Sequence, residues 1–120
     1  MGKPSRDKGI RYRQKIANFY RERGYHAHAG EQSRKGSDAP DVVVRGVPLL
    51  APWIECKHYA KGVNVFAAYD QANDAAEECA WANVDIVVHA HIDNGPDLVV
   101  IDLPTWQYIL EQLGRDDETA

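Results

Sequence analysis

Residues 37–57 read SDAPDVVVRGVPLLAPWIECK, and the rest of the chain is arranged around them. Asp41 follows Pro40 and opens the apolar run Val42, Val43, Val44. Arg45, Gly46, Val47 and Pro48 then carry a turn signal, because glycine accepts a positive φ and proline presets its own. A second run, residues 49–56, ends in Glu55-Cys56-Lys57. Residues two apart on a strand share a face. Glu55 and Lys57 therefore project together, with Cys56 on the other side. If the two runs pair as a hairpin, Asp41 lies near Glu55 and Lys57.

Three charges at one end of an apolar hairpin contribute poorly to stability, since buried charge is costly unless it is paired or metal-bound. Two carboxylates beside a lysine suit a divalent-metal site. A hard cation such as Mg²⁺ takes carboxylate oxygens and waters and leaves room for a phosphate. It can acidify a bound water, which the lysine can orient. A surface Glu–Lys pair beside a turn aspartate is the plainer alternative that these residues alone leave open.

Pro40-Asp41 followed by Glu55-Cys56-Lys57, with the acids fourteen positions apart, resembles the PD-(D/E)xK nuclease motif. More particularly, the chain resembles the archaeal-type Holliday junction resolvases, which also occur in viruses. The likeness covers roughly residues 8 to 90. Lys8-Gly9 opens a basic helix that closes at Arg23-Gly24-Tyr25, and a basic loop, Gln32-Ser33-Arg34-Lys35-Gly36, precedes Pro40-Asp41. Tyr69 and Gln71 follow near the start of a helix.

The resemblance implies a restriction-endonuclease-like core. It also implies a Mg²⁺ ion, replaceable by Mn²⁺, on Asp41, Glu55 and the Cys56 carbonyl. Lys57 would position water and Gln71 would support the site. Apart from the resemblance, the basic loop directly before Asp41 suits Ser33, Arg34 and Lys35 to gripping backbone phosphates, and the basic helix offers Arg11 and Arg13 as further DNA contacts. The substrate would be a four-way DNA junction cut by a homodimer, in the cytoplasm or, for a virus, that of the host. Other nucleases of the superfamily, cutting flaps or recombination ends, share these residues. A catalytically weak DNA-binding protein is the alternative from another class. One departure bears on the choice: where the family carries a helix glutamate, position 13 is arginine. Either Glu31 replaces the missing acid or Asp41 and Glu55 act alone.

The composition fits one soluble domain over residues 1–120: 44% hydrophobic, 27% charged and two cysteines. Cys56 and Cys79 sit in apolar runs and read as buried thiols. No apolar run approaches the ~20 residues that span a bilayer, and MGKPSRDKG has no apolar core of a secretory signal. The net charge is −4, but residues 1–36 hold ten Lys/Arg against three acids. A basic third on an acidic body can bind a polyanion locally.

The periodicities predict helix over 6–23, with Tyr12, Ile16 and Phe19 inward, and strand over 25–29. After the hairpin comes an alanine-rich helix over 67–82, then strands over 84–90 and 98–103 joined by Asp93-Asn94-Gly95-Pro96. A final helix follows, with Trp106, Ile109, Leu110 and Leu113 inward and Gly114 as its stop. Residues 1–5 and 115–120 read as flexible. The order α-β-β-β-α-β-β-α gives an α/β fold with a mixed central sheet flanked by helices. His26/His28 and His89/His91 read as partly exposed edge residues, and Trp53, Trp81 and Tyr59 as candidates for a dimer interface.

Overall fold

The computed structural model describes residues 3–30, 40–47, 52–79 and 84–119. Among them run α1 (Lys3–Glu22), β1 (His26–Ala29), β2 (Val42–Arg45), β3 (Pro52–Tyr59), α2 (Val65–Glu78), β4 (Asp85–Ile92), β5 (Asp97–Val100) and α3 (Leu103–Thr119). The element order is the expected one. The strands form one mixed sheet, β1-β2-β3-β4-β5. Only β3 and β4 pair in parallel, and the other neighbours are antiparallel. A parallel pair needs a crossover, which α2 supplies.

Helix α1 begins at Lys3, three residues before the expected start, and Gly24 ends it at φ +90. Its buried stripe is Tyr12, Ile16 and Ala17, with Tyr20 half-buried; Phe19 is exposed beneath the Arg23 guanidinium. The stripe packs on Val42, Val44, Ile54, Cys56 and Val87. On the opposite face α2 buries Ala68, Ala72, Ala75 and Ala76 against Trp53, Ile86, Val88 and Ala90. These small side chains let the helix lie close to the sheet. The Asn64 side chain caps α2 by accepting from the Ala67 amide.

Strand β3, covered on both faces, is the spine. Among the described residues it runs from Pro52, the expected positions 49–51 lying outside them, and continues through His58 and Tyr59, which the sequence assigns to a connection. The cause is the long register with β4, which pairs every residue from Pro52↔Asp85 to Tyr59↔Ile92.

Several other expectations are corrected. Trp53 is 1% exposed and lies in the core, so it cannot serve an interface, whereas Tyr59 is exposed; Trp81 lies outside the described residues. Helix α2 ends at Glu78, and β5 at Val100, because Leu103 already belongs to α3. Gly114 does not stop α3, which continues to Thr119. Trp106, Leu110 and Leu113 face solvent and not the core. His89 is buried, with its Nε2 2.9 Å from the Tyr20 hydroxyl. The hairpin turn is as read, with Asn94 at φ 63. No described helix is long and apolar enough to cross a membrane.

Candidate active site

Asp41 is fixed by backbone before its side chain does anything. Its amide donates to the Ile54 carbonyl at 2.9 Å, and its carbonyl accepts from the Gly30 amide at 2.8 Å. Position 30 must be glycine, since a Cβ there would collide with the Pro40 carbonyl. The Asp41 carboxylate Oδ2 then accepts from the Cys56 amide at 2.8 Å. One residue is thus stitched to β1 on one side and β3 on the other.

Strand alternation sends Ile54 and Cys56 toward α1 and Trp53 toward α2. Glu55 and Lys57 share the α2 side with Trp53. Asp41 and Glu55 are buried, 7% and 8% exposed, and close enough for each carboxyl to act on the other. Burial, then the charge of Asp41, push the Glu55 carboxyl well above the ordinary carboxylate range; Lys57 pulls the other way. The Lys57 ammonium donates to Gln71 Oε1 at 2.8 Å, so α2 orients the lysine. Gln71 sits in the second turn of α2 rather than its first.

An open cavity of about 230 Å³ adjoins Asp41 and Lys57, lined with them by Arg6, Gly9, Ile10, Arg13 and Cys56 and by neither Glu55 nor Gln71. Arg13 therefore lines the same cavity as Asp41 and Lys57, and its Nη1 is buried with no hydrogen-bond partner among the described residues. Arg6 was not singled out by the sequence reading. The signal was present, because Arg6, Gly9 and Arg13 fall at i, i+3, i+7 and share one helix face. Arg11 lies elsewhere, in a groove with Gln14, Lys15 and Asn18. Ser33, Arg34, Lys35 and Glu31 lie outside the described residues.

Other groups are structural. Burial and the adjacent carboxylates push the Cys56 thiol far up, so it is no nucleophile. Neither cysteine forms a disulfide. Lys8 and Lys15 pair with Asp93 and Asp97 at 2.9 Å, tying α1 to the β4–β5 hairpin. His58 and His91 contact each other and the Tyr12 ring and pair with the same two aspartates. Tyr69, part of the motif set, donates to Asp102 Oδ2 at 2.6 Å and supports the start of α3.

Among the described residues no three His, Cys, Asp or Glu side chains are grouped to hold a metal ion. The donor set at the site is thus two carboxylates, with main-chain oxygen as the available supplement. That set fits a hard divalent cation that keeps several waters. It does not fit a zinc or other thiolate- and imidazole-bound centre. In comparisons with known proteins the chain matches no protein-family model, no curated protein and no solved structure.

Proposed function

We propose that the protein is a metal-dependent, structure-selective DNA endonuclease that resolves four-way junctions by paired phosphodiester hydrolysis, built on a restriction-endonuclease-like core. The observation that carries the reading is the buried Asp41–Glu55 carboxyl pair beside Lys57. Such a pair is costly without a cation. Asp41, Glu55 and the Cys56 carbonyl would hold one Mg²⁺, or Mn²⁺ in its place, which supplies charge neutralisation at the phosphate and an acidified water.

Lys57, held by Gln71, would orient an attacking water; as its oxygen bonds phosphorus the P–O ester bond breaks, and the proton that the water gives up is balanced by the one that the departing oxygen takes from solvent. Arg13, with a planar fork suited to phosphate, takes a non-bridging oxygen beside the scissile bond. Arg11, Ser33, Arg34 and Lys35 contact flanking phosphates, so recognition is of DNA shape and not of base sequence. Cutting two strands symmetrically calls for a two-fold dimer, and the chain would act in the cytoplasm, of the host if it is viral.

A nicking assay on a four-way junction with Mg²⁺, against linear duplex and flap controls, tests the proposal. Asp41→Asn should abolish cleavage and leave junction binding intact or tighter, because a charge that repels phosphate is removed. Full cleavage by Asp41→Asn would sink the assignment. Preferential cutting of flaps would favour another nuclease of the superfamily. Arg13 at the cavity favours a second reading, a catalytically weak DNA-binding protein, which binds the junction and cuts none of the three.

A further inference from the structure

The face of α1 that carries Arg6, Gly9 and Arg13 has a gap at its middle. At 1.5 Å per residue the two arginines stand about 10 Å apart along the helix axis, two turns from each other. Between them is a residue without a side chain: among the described residues nothing lies within 4 Å of where a Gly9 Cβ would stand. The gap opens into the cavity whose far wall is Asp41, Cys56 and Lys57. That wall exists because β3 outruns β2. Strand β2 begins at Val42, opposite Ile54, and beyond that pair the Cys56 amide bonds the Asp41 carboxylate instead of a strand partner.

Among the described residues three cations, Arg6, Arg13 and Lys57, line this cavity against the one carboxylate of Asp41, a formal excess of two positive charges. Arg13 and Lys57 are both close enough to Cys56 to draw its thiol down against the larger effect of burial. An ammonium has three donors, and Lys57 places one on Gln71. The Arg13 Nη1 is buried with no acceptor, which is costly for a charged group. The cavity is therefore short of acceptor oxygens and of negative charge together. At about 230 Å³ it is smaller than the ~300 Å³ at which pockets begin to take drug-sized ligands. A phosphate enters with some water, and whatever is esterified to it stays at the mouth, where Arg6 is exposed.

We propose that this cavity binds the phosphate monoester at the end of a nucleic-acid strand, with Arg13 and Lys57 at its base and Arg6 at its mouth. A monoester brings two negative charges and three free oxygens, which match the charge excess and the unfilled donors. A backbone diester brings one charge and two free oxygens. The mouth opens on the basic third of the chain, where residues 1–36 hold ten Lys/Arg against three acids, so the phosphates that follow the terminal one are also met by positive charge. The binding stands whether or not the protein cuts DNA; its use rests on the nuclease reading. Hydrolysis of a phosphodiester leaves one hydroxyl end and one monoester end, and the cavity would hold the monoester end after the first of the paired cuts.

Calorimetric titration in EDTA, where no metal-dependent cutting occurs, tests it with methyl phosphate, dimethyl phosphate, and short DNA strands bearing phosphate at the 5′ end, at the 3′ end or at neither. The parent should bind methyl phosphate at least ~10-fold tighter than dimethyl phosphate, and one phosphorylated strand at least ~10-fold tighter than the strand with none. Arg6→Gln should weaken methyl phosphate binding at least ~10-fold through the loss of a charge-assisted hydrogen bond. Gly9→Leu, which favours helix and fills the gap, should weaken it as much, and both should keep the parent's circular dichroism. Arg45→Gln, a cation at the far end of β2, should change nothing. Either cavity variant suffices if the other fails to fold. Equal affinity for the two small phosphates, or cavity variants that bind as the parent does, overturns the proposal. Methyl phosphate binding without preference for either phosphorylated strand overturns the strand end as its source. A protein that prefers the phosphorylated end and nicks no junction in Mg²⁺ retires the nuclease reading and leaves this site standing; one that nicks junctions without that preference does the reverse.

Discussion

Replacing Glu55 with glutamine should stabilise the metal-free protein at alkaline pH and remove its response to Mg²⁺. In the parent, burial and then Asp41 raise the Glu55 carboxyl above its ordinary 4.5. A carboxyl raised in the folded state contributes stability that is whole below the unfolded pKa and is lost as pH rises through the folded one. At alkaline pH the fold must carry two adjacent buried charges. Two unit charges ~4 Å apart at an effective dielectric of ~20 repel by about 4 kcal/mol, which sets the scale for such a pair. Lys57 offsets part of this, and the new amide must find partners, so a net gain of about 1–2 kcal/mol is expected. For a domain of this size that corresponds to roughly 3–8 °C in Tm.

Thermal unfolding at pH 5 and pH 9, in EDTA and in Mg²⁺, reads all of it. The variant should exceed the parent at pH 9 in EDTA and show a smaller advantage, or none, at pH 5. Mg²⁺ should raise the parent's Tm more at pH 9 than at pH 5, and the variant's at neither. Equal destabilisation by the substitution at both pH values, with the Mg²⁺ response retained, would refute the idea that these carboxylates share one ion.

Three further outcomes are expected. His89, whose imidazole burial holds down at about 4 against the opposing charge of Asp97, contributes stability that is whole above its ordinary 6.5 and is lost as pH falls toward 4, about 3 kcal/mol in all; urea midpoints should show this fall in the parent and much less of it in His89→Phe. Gly30→Ala should cost at least about 2 kcal/mol and displace Asp41, seen as a lower urea midpoint together with weakened Mg²⁺ binding; an unchanged midpoint would mean the Gly30–Pro40 contact yields easily. Arg13→Ala should weaken junction binding by gel shift, and Arg13→Glu should weaken it further while tightening Mg²⁺ or Mn²⁺ in calorimetry; a parent that binds two ions tightly would mean another acid, Glu31 first, supplies a ligand.

The element order was legible because each segment keeps one period, 3.6 or 2.0, between turn residues. The approach of Asp41 to Glu55 was legible for the same reason, since a hairpin of known length brings its ends together. What escaped depended on neighbours distant in sequence. Polar His58 and Tyr59 join β3 because β4 offers eight partners in register. Phe19 is more apolar than Tyr20, yet Tyr20 turns inward because buried His89 gives its hydroxyl a partner. The apolar stripe of α3 was visible as a pattern, but amphipathicity does not say what covers a stripe. Arg6 was overlooked because only the tertiary fold brings the first turns of α1 against Asp41 and Lys57.

The closure at Gly30 and Pro40 has a consequence for how this protein can change. The chain leaves the sheet at Gly30 and returns at Pro40 to points already joined to each other, by the Gly30 amide on the Asp41 carbonyl and by the close approach of the Pro40 carbonyl. Whatever is spelled between them, Asp41 is delivered to the same place. Doubling the length of such a segment adds only about 0.6 kcal/mol of closure entropy. Residues 31–39, which carry Ser33, Arg34 and Lys35, can therefore be exchanged by graft without displacing the Asp41 carboxylate, and under the proposed function such a graft would retune the grip on backbone phosphates.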